Sequence, residues 1–162
     1  MKKILTFLLL SVVMVSAYSQ QTNIDKFYNR FRSYDKGGEE MKSAFSINGS
    51  FSGGDGKGWF NKITQFRLLV LDSKKTPSLM PEWDGLIRAL GKDEYEELVS
   101  FRQGKDYARL LLKEVGEGLK DVVLLCAGKD GGCLFVNLRG RFTIHDIDQI
   151  QHAFHGQDVA VK

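Results

Sequence analysis

The chain has 162 residues, 43% of them hydrophobic, with 11 phenylalanines and only two prolines, enough apolar material for one core and too much for a disordered tract. Basic residues number 23 against 20 acidic ones, and Lys2 and Lys3 account for most of the +3 balance. Near-neutrality of the remainder argues against the basic face that a nucleic-acid partner requires.

Lys2 and Lys3 precede an apolar run from Ile4 to Val15, interrupted by Thr6 and Ser11 and followed by small residues. This is the anatomy of a secretory signal peptide over residues 1–19. Its core of about twelve residues falls short of the roughly 18 to 20 that span a bilayer as a helix. Cleavage is expected after Ala17 or after Ser19, with an uncleaved anchor as the alternative. No cysteine stands near either exit, so a lipoprotein is not expected. A single globular domain over 20–162 is expected in the periplasm or outside the cell, with no transmembrane helix of its own.

Thr22 and Asp25 have capping-box spacing, and Ile24, Phe27, Phe31 and Tyr34 recur at helical intervals, so a first helix is expected to run to about Tyr34 and stop at Gly37 and Gly38. From Met41 the period becomes two, with Met41, Phe45 and Ile47 opposite Lys42, Ala44 and Ser46, which reads as a half-buried strand. A second strand follows between Ile63 and Leu71. Ser78 then stands as a helix cap, Met80, Trp83, Ile87 and Leu90 form one stripe, and Gly91 occupies the expected left-handed C-terminal position. Four closely spaced strands come next, Tyr95 to Arg102, Tyr107 to Val115, Lys120 to Ala127 and Cys133 to Arg141, separated by glycine turns as in an antiparallel meander. A last helix opens on Thr143 and Asp146 in capping-box spacing and is expected to bury Ile144, Ile147, Ile150 and Phe154.

The class is therefore α+β, with one mainly antiparallel sheet of about six strands and three amphipathic helices packed mostly on one face. The other face is expected to be wet or to bind something, with Arg67, Arg109, Lys113, Asn137 and Arg139 along it.

Local motifs for chemistry are sparse. Cys126 and Cys133 flank a probable hairpin turn, and in an oxidising compartment they invite a disulfide, with two buried free thiols as the alternative. The segment Gly49-Ser-Phe-Ser-Gly-Gly-Asp-Gly-Lys-Gly58 is rich in glycine, but a phosphate-binding loop would need glycine where Phe51 stands and a hydroxyl where Gly58 stands. It reads as a connector, or as a binding flap carrying Phe51, Asp55, Trp59 and Phe60. On the last helix His145, Asp148, His152 and His155 fall within one arc away from the apolar stripe, a weak candidate set for a metal ion and more simply a solvated face. Serine-hydrolase and zinc-protease signatures are absent, and no catalytic residue is assigned.

The strand Lys62-Ile-Thr-Gln-Phe-Arg-Leu-Leu-Val-Leu71, the strand Tyr95-Glu-Glu-Leu-Val99, the turn Gly128-Lys-Asp-Gly-Gly-Cys133 and the run Leu134-Phe-Val-Asn-Leu-Arg-Gly140 together resemble the domain of unknown function 4252 family of small exported bacterial proteins. The resemblance spans about residues 24 to 151 and implies an envelope protein of a Gram-negative bacterium. It supplies no activity and no catalytic residues. The expectation is an exported, non-enzymatic domain that binds an envelope protein or a small ligand without a cofactor. The alternatives are a periplasmic hydrolase with dispersed catalytic residues and a structural or adhesive surface component.

Overall fold

The computed structural model describes residues 21–37 and 57–155. The leader, the strand expected at 41–47, and Phe51 and Asp55 lie outside the described residues. Helix α1 (Asn23–Phe31) continues as a 3-10 turn, Arg32–Tyr34, and a one-turn helix α2 (Lys57–Phe60) precedes strand β1 (Ile63–Asp72). Helix α3 (Leu79–Lys92) leads to β2 (Glu96–Gln103), β3 (Asp106–Gly116), β4 (Leu119–Ala127) and β5 (Gly132–Gly140), and α4 (Ile144–His155) follows. The class is α+β, with one antiparallel sheet of five described strands in the order β1-β5-β4-β3-β2. None of the described helices is long and apolar enough to cross a membrane.

Both capping boxes form. The Asp25 amide donates to Thr22 Oγ1 at 3.1 Å while Thr22 N–H donates to the Asp25 carboxylate at 2.9 Å. The Thr143 and Asp146 pair repeats the exchange at 2.6 and 3.2 Å, and Lys62 Nζ adds an ion pair to Asp146 at 2.7 Å. Each such cap contributes about 1 kcal/mol. Between β3 and β4, Glu117 and Gly118 both have positive φ, 48° and 76°, as a two-residue turn matched to strand twist requires. Gly140 is fixed for another reason: a Cβ there would collide with the Lys62 carbonyl.

Strand alternation divides the core into two layers. Leu69, Leu71, Leu111, Val123, Leu125, Cys133 and Phe135 face α1 and α3, where Phe27 packs its ring at 5.3 Å from Phe135 and 5.7 Å from Trp83. Leu68, Leu110, Val122, Leu124, Leu134, Val136 and Leu138 face the other way, against Ile147 and Ile150 of α4 and Trp59 of α2.

Helices thus cover both faces, which corrects the expectation of helices mostly on one side. The alternating period assigns residues to a common face, but an amphipathic helix is equally satisfied on either one. Details at the helix ends also differ. Ser78 occupies the cap position in the left-handed region without a side-chain bond, and α3 runs through Gly91, so that the left-handed residue beyond its end is Glu94. Ile144, at the edge of its stripe and in the first turn of α4, is exposed rather than buried.

Candidate functional site

The register of the sheet lines up one unusual row. Gln65 of β1 pairs with Arg139 of β5, Arg139 with Asp121 of β4, and Asp121 with Lys113 of β3. All four are in phase with the residues that face α1 and α3, so the row lies at one end of that helix-covered layer. The next row holds Arg67 opposite Asn137. The sequence-derived polar set therefore does share one face. That face is covered, not bare, because the N-terminus of α1 and the C-terminus of α3 converge over it, joined by Asn23 Nδ2 donating to the Asp93 carboxylate at 2.8 Å.

At the centre stands Asp121, with no exposed surface. Arg139 Nη2 reaches one carboxylate oxygen at 2.6 Å, the Tyr95 hydroxyl donates to the same oxygen at 3.1 Å, and the Asn137 amide donates to the other. A bare carboxylate could not remain charged there; the guanidinium and two further donors supply what water would. Burial pushes the Tyr95 phenol far above its ordinary value, reinforced by the charge of Asp121, so it stays a proton donor. Burial also works against the Arg139 cation, but its hydrogen bond and attraction to Asp121 more than offset this and raise its pKa. Two buried polar atoms, Asn137 Oδ1 and Arg139 Nε, have no partner among the described residues.

Above this network lies an open cleft of about 400 Å³. Its rim is the start of α1, with Thr22, Asn23 and Lys26, and its floor and far wall are Asp93, Tyr95, Lys113 and Arg139, with Ile24 and Val115 as apolar patches. Lys113 Nζ donates to the Asp93 carbonyl at the end of α3, at 2.6 Å, and lies 5.8 Å from the Tyr95 ring centroid. That carbonyl is neutral, so Lys113 and Lys26 bring two positive charges to the cleft against the one carboxylate that lines it, Asp93, which is held by the neutral Asn23 amide.

The remaining expected residues divide clearly. Arg67 pairs with Asp25 of α1 at 2.5 Å and lies over Tyr28, bracing the helix beside the cleft. Burial opposes ionisation of Asp25, but the Thr22 hydrogen bonds and Arg67 prevail and lower its pKa. Arg109 is remote from the cleft and pairs with Glu97 of β2 at 3.2 Å. Trp59, placed on a flap by its sequence context, is buried beneath α2, and Phe60 is described only as backbone of that helix.

The cysteine bridge is corrected. The turn between β4 and β5 sets Ala127 opposite Cys133 and Cys126 opposite Leu134, so the two sulfurs sit on opposite faces of the sheet and both are free thiols. Burial pushes each up to about 11, away from the thiolate form. His145 and Asp148 are exposed on α4, and His152 and His155 are described only as its backbone. Among the described residues no three potential ligands stand close enough to hold a metal ion.

Sequence reasoning missed Asp121, Tyr95, Asp93 and Lys26. Asp121 had a signal: it is an acid in phase with Val123 and Leu125 in a strand that is apolar from Val122 to Ala127. The others belong to the site only through convergence of two helix ends far apart in sequence.

No curated protein and no solved structure matches the chain. The model of the family described as Domain of unknown function (DUF4252) matches residues 40–150, which takes in β1, α3, the four-strand meander and most of α4, and the chain belongs to that family.

Proposed function

We propose that this chain is an exported envelope domain that binds a small ligand, without chemistry of its own, and that the ligand presents an anionic group to the cleft between α1 and α3. The observation that carries the reading is the placement of Lys26 and Lys113 around one concavity that holds a single carboxylate, Asp93, above an Asp121–Arg139 pair whose charges already match. The Asp121 oxygens are occupied by donors, Tyr95 is held protonated, and the thiols are buried. Such groups fix a shape and a potential, and none is poised to transfer a proton near neutrality. The exposed Val115 suits an organic body attached to the anion. Export is supported by the basic residues, apolar run and small-residue exit of the leader.

Thermal-shift and calorimetric titrations with inorganic phosphate, sugar phosphates and short carboxylic acids test the binding. At least one should raise the melting temperature, since a ligand at a hundred times its Kd stabilises by about 2.7 kcal/mol. Lys113→Gln should abolish that shift while lowering ligand-free stability by no more than its bond to the Asp93 carbonyl is worth, about 1–2 kcal/mol. No response to any anion, or an equal response in the variant, overturns the proposal. Fractionation with N-terminal sequencing tests export: the expected product lies in the periplasm and begins just after Ala17 or Ser19, and an intact chain in the cytosol refutes it.

A further inference from the structure

The two edges of the sheet are not alike. The outer side of β1 is engaged: the Lys36 amide donates to the Val70 carbonyl at 2.9 Å, and the Val70 amide donates to Asp35 at 2.8 Å. On the outer side of β2, among the described residues, no hydrogen bond reaches the backbone of Glu96–Gln103. Edge strands are commonly protected by lysine or other charges, proline, brevity or a bulge, and this one carries charges and a bulge. This one has eight residues and neither lysine nor proline, and Phe101 is 51% exposed on it.

Its pattern is self-complementary, and a bulge is what makes it so. Glu97 pairs with Leu111 and Val99 with Leu110, leaving Leu98 as an extra residue, and Leu98 and Val99 both turn toward the α4 side of the sheet. Phe101, opposite Ala108, lies on that same side, while Glu97, Ser100 and Arg102 lie on the α1 and α3 side. An antiparallel pairing of two β2 strands about a two-fold axis at Ser100 then sets Ser100 against its copy. Phe101 meets Leu98 and Val99, and Glu97 meets Arg102. Glu97 stands three residues from Ser100 and Arg102 only two, so without the bulge Arg102 would face Leu98 and Glu97 would face Gln103. With it, apolar meets apolar and acid meets base twice over, as an isologous interface demands. Glu97 keeps its own Arg109 at 3.2 Å, so each end of the seam would join one carboxylate and two guanidinium groups.

We infer that the occupant of this edge is a second copy of the chain, and that the protein forms a symmetric dimer in which β2 strands join two sheets into one continuous sheet. The inference is independent of the cleft, which lies at the other polar cluster of the same face.

Sedimentation equilibrium of the purified protein should show a concentration-dependent dimer. Arg102→Glu and Glu97→Lys each place like charges opposite one another and should weaken it by roughly tenfold or more. An equimolar mixture of these two variants should recover the dimer, because the mixed pair again has opposite charges at both ends. Ser100→Cys should form an intermolecular disulfide on mild oxidation, since directly opposed residues lie at about 4.5–5.5 Å. Gln103→Cys, roughly 20 Å from its copy in this register, should not. A monomer throughout, a dimer indifferent to both charge reversals, or crosslinking through position 103 and not 100 overturns the inference. If the Glu97 variant fails to fold because of Arg109, the cysteine pair decides alone.

Discussion

Both faces of the sheet are buried, but by different means. The α4 side is apolar along β4 and β5, with Val122, Leu124, Leu134, Val136 and Leu138 in unbroken sequence under Ile147 and Ile150. The α1 and α3 side is apolar for most of its length but ends in the row Gln65, Arg139, Asp121 and Lys113. A fold in need of stability alone would have continued the apolar layer, because a buried ion pair offers little that well-packed hydrophobic residues do not. The difference teaches where to look: the α4 side is explained by packing, and the charged end of the opposite side is where the proposed ligand is tested.

Removing the carboxylate should have the largest effect. Asp121→Ala strands Arg139, Asn137 and Tyr95 and should cost about 3–5 kcal/mol in urea unfolding. Combining Asp121→Leu, Asn137→Leu and Arg139→Met should recover much of that stability while eliminating the anion response. If the triple variant still binds, the charged row is not the binding floor. On the opposite face, Val136→Ala should cost about 1.5–3 kcal/mol and leave ligand response untouched, a separation read by comparing melting temperature with titration.

A smaller effect is expected at the helix starts, where Thr143→Ala should cost about 1 kcal/mol. The pH dependence follows from the same caps. Burial works against ionised Asp146, but Lys62 and the Thr143 hydrogen bonds outweigh it, so its pKa lies below the ordinary 3.8, as does that of Asp25. A depressed carboxyl stabilises the fold fully above its unfolded value and loses that contribution as pH falls through the folded value. Melting temperature should therefore be flat from neutrality down to about pH 5 and decline below about pH 4, less steeply in Asp146→Asn. The smallest perturbation is chemical: thiol counting in denaturant without reductant should find two free sulfhydryls, and in the native state both should react slowly.

Much of this was legible in the chain. Thr22 with Asp25 and Thr143 with Asp146 announced two helix starts, because a capping box is satisfied by residues three apart and nothing else. The meander was legible from glycine turns, and strand parity placed Arg67, Asn137 and Arg139 on one face. What alternation cannot encode is which helix lies over that face, and so the polar set was expected to be bare. The cysteine pairing failed by one residue, since a hairpin register is set by turn hydrogen bonds such as Gly128 N–H to the Gly132 carbonyl at 2.8 Å. A one-residue offset sends neighbouring side chains to opposite sides. The cleft was illegible because Lys26, Asp93 and Lys113 meet only after α3 has carried the chain from one sheet edge to the other.

That crossing by α3 also sets a timetable. The first of the described strands, β1, hydrogen-bonds along its inner side to the last of them, β5, with Leu71 meeting Cys133 and Val70 meeting Leu134. During vectorial synthesis the apolar stretch Leu68 to Leu71 has no ladder partner until nearly the whole domain has emerged. Closure of the sheet along that side is thus a late, high-contact-order event, and the apolar face of β1 is open to misassociation until the final strand arrives.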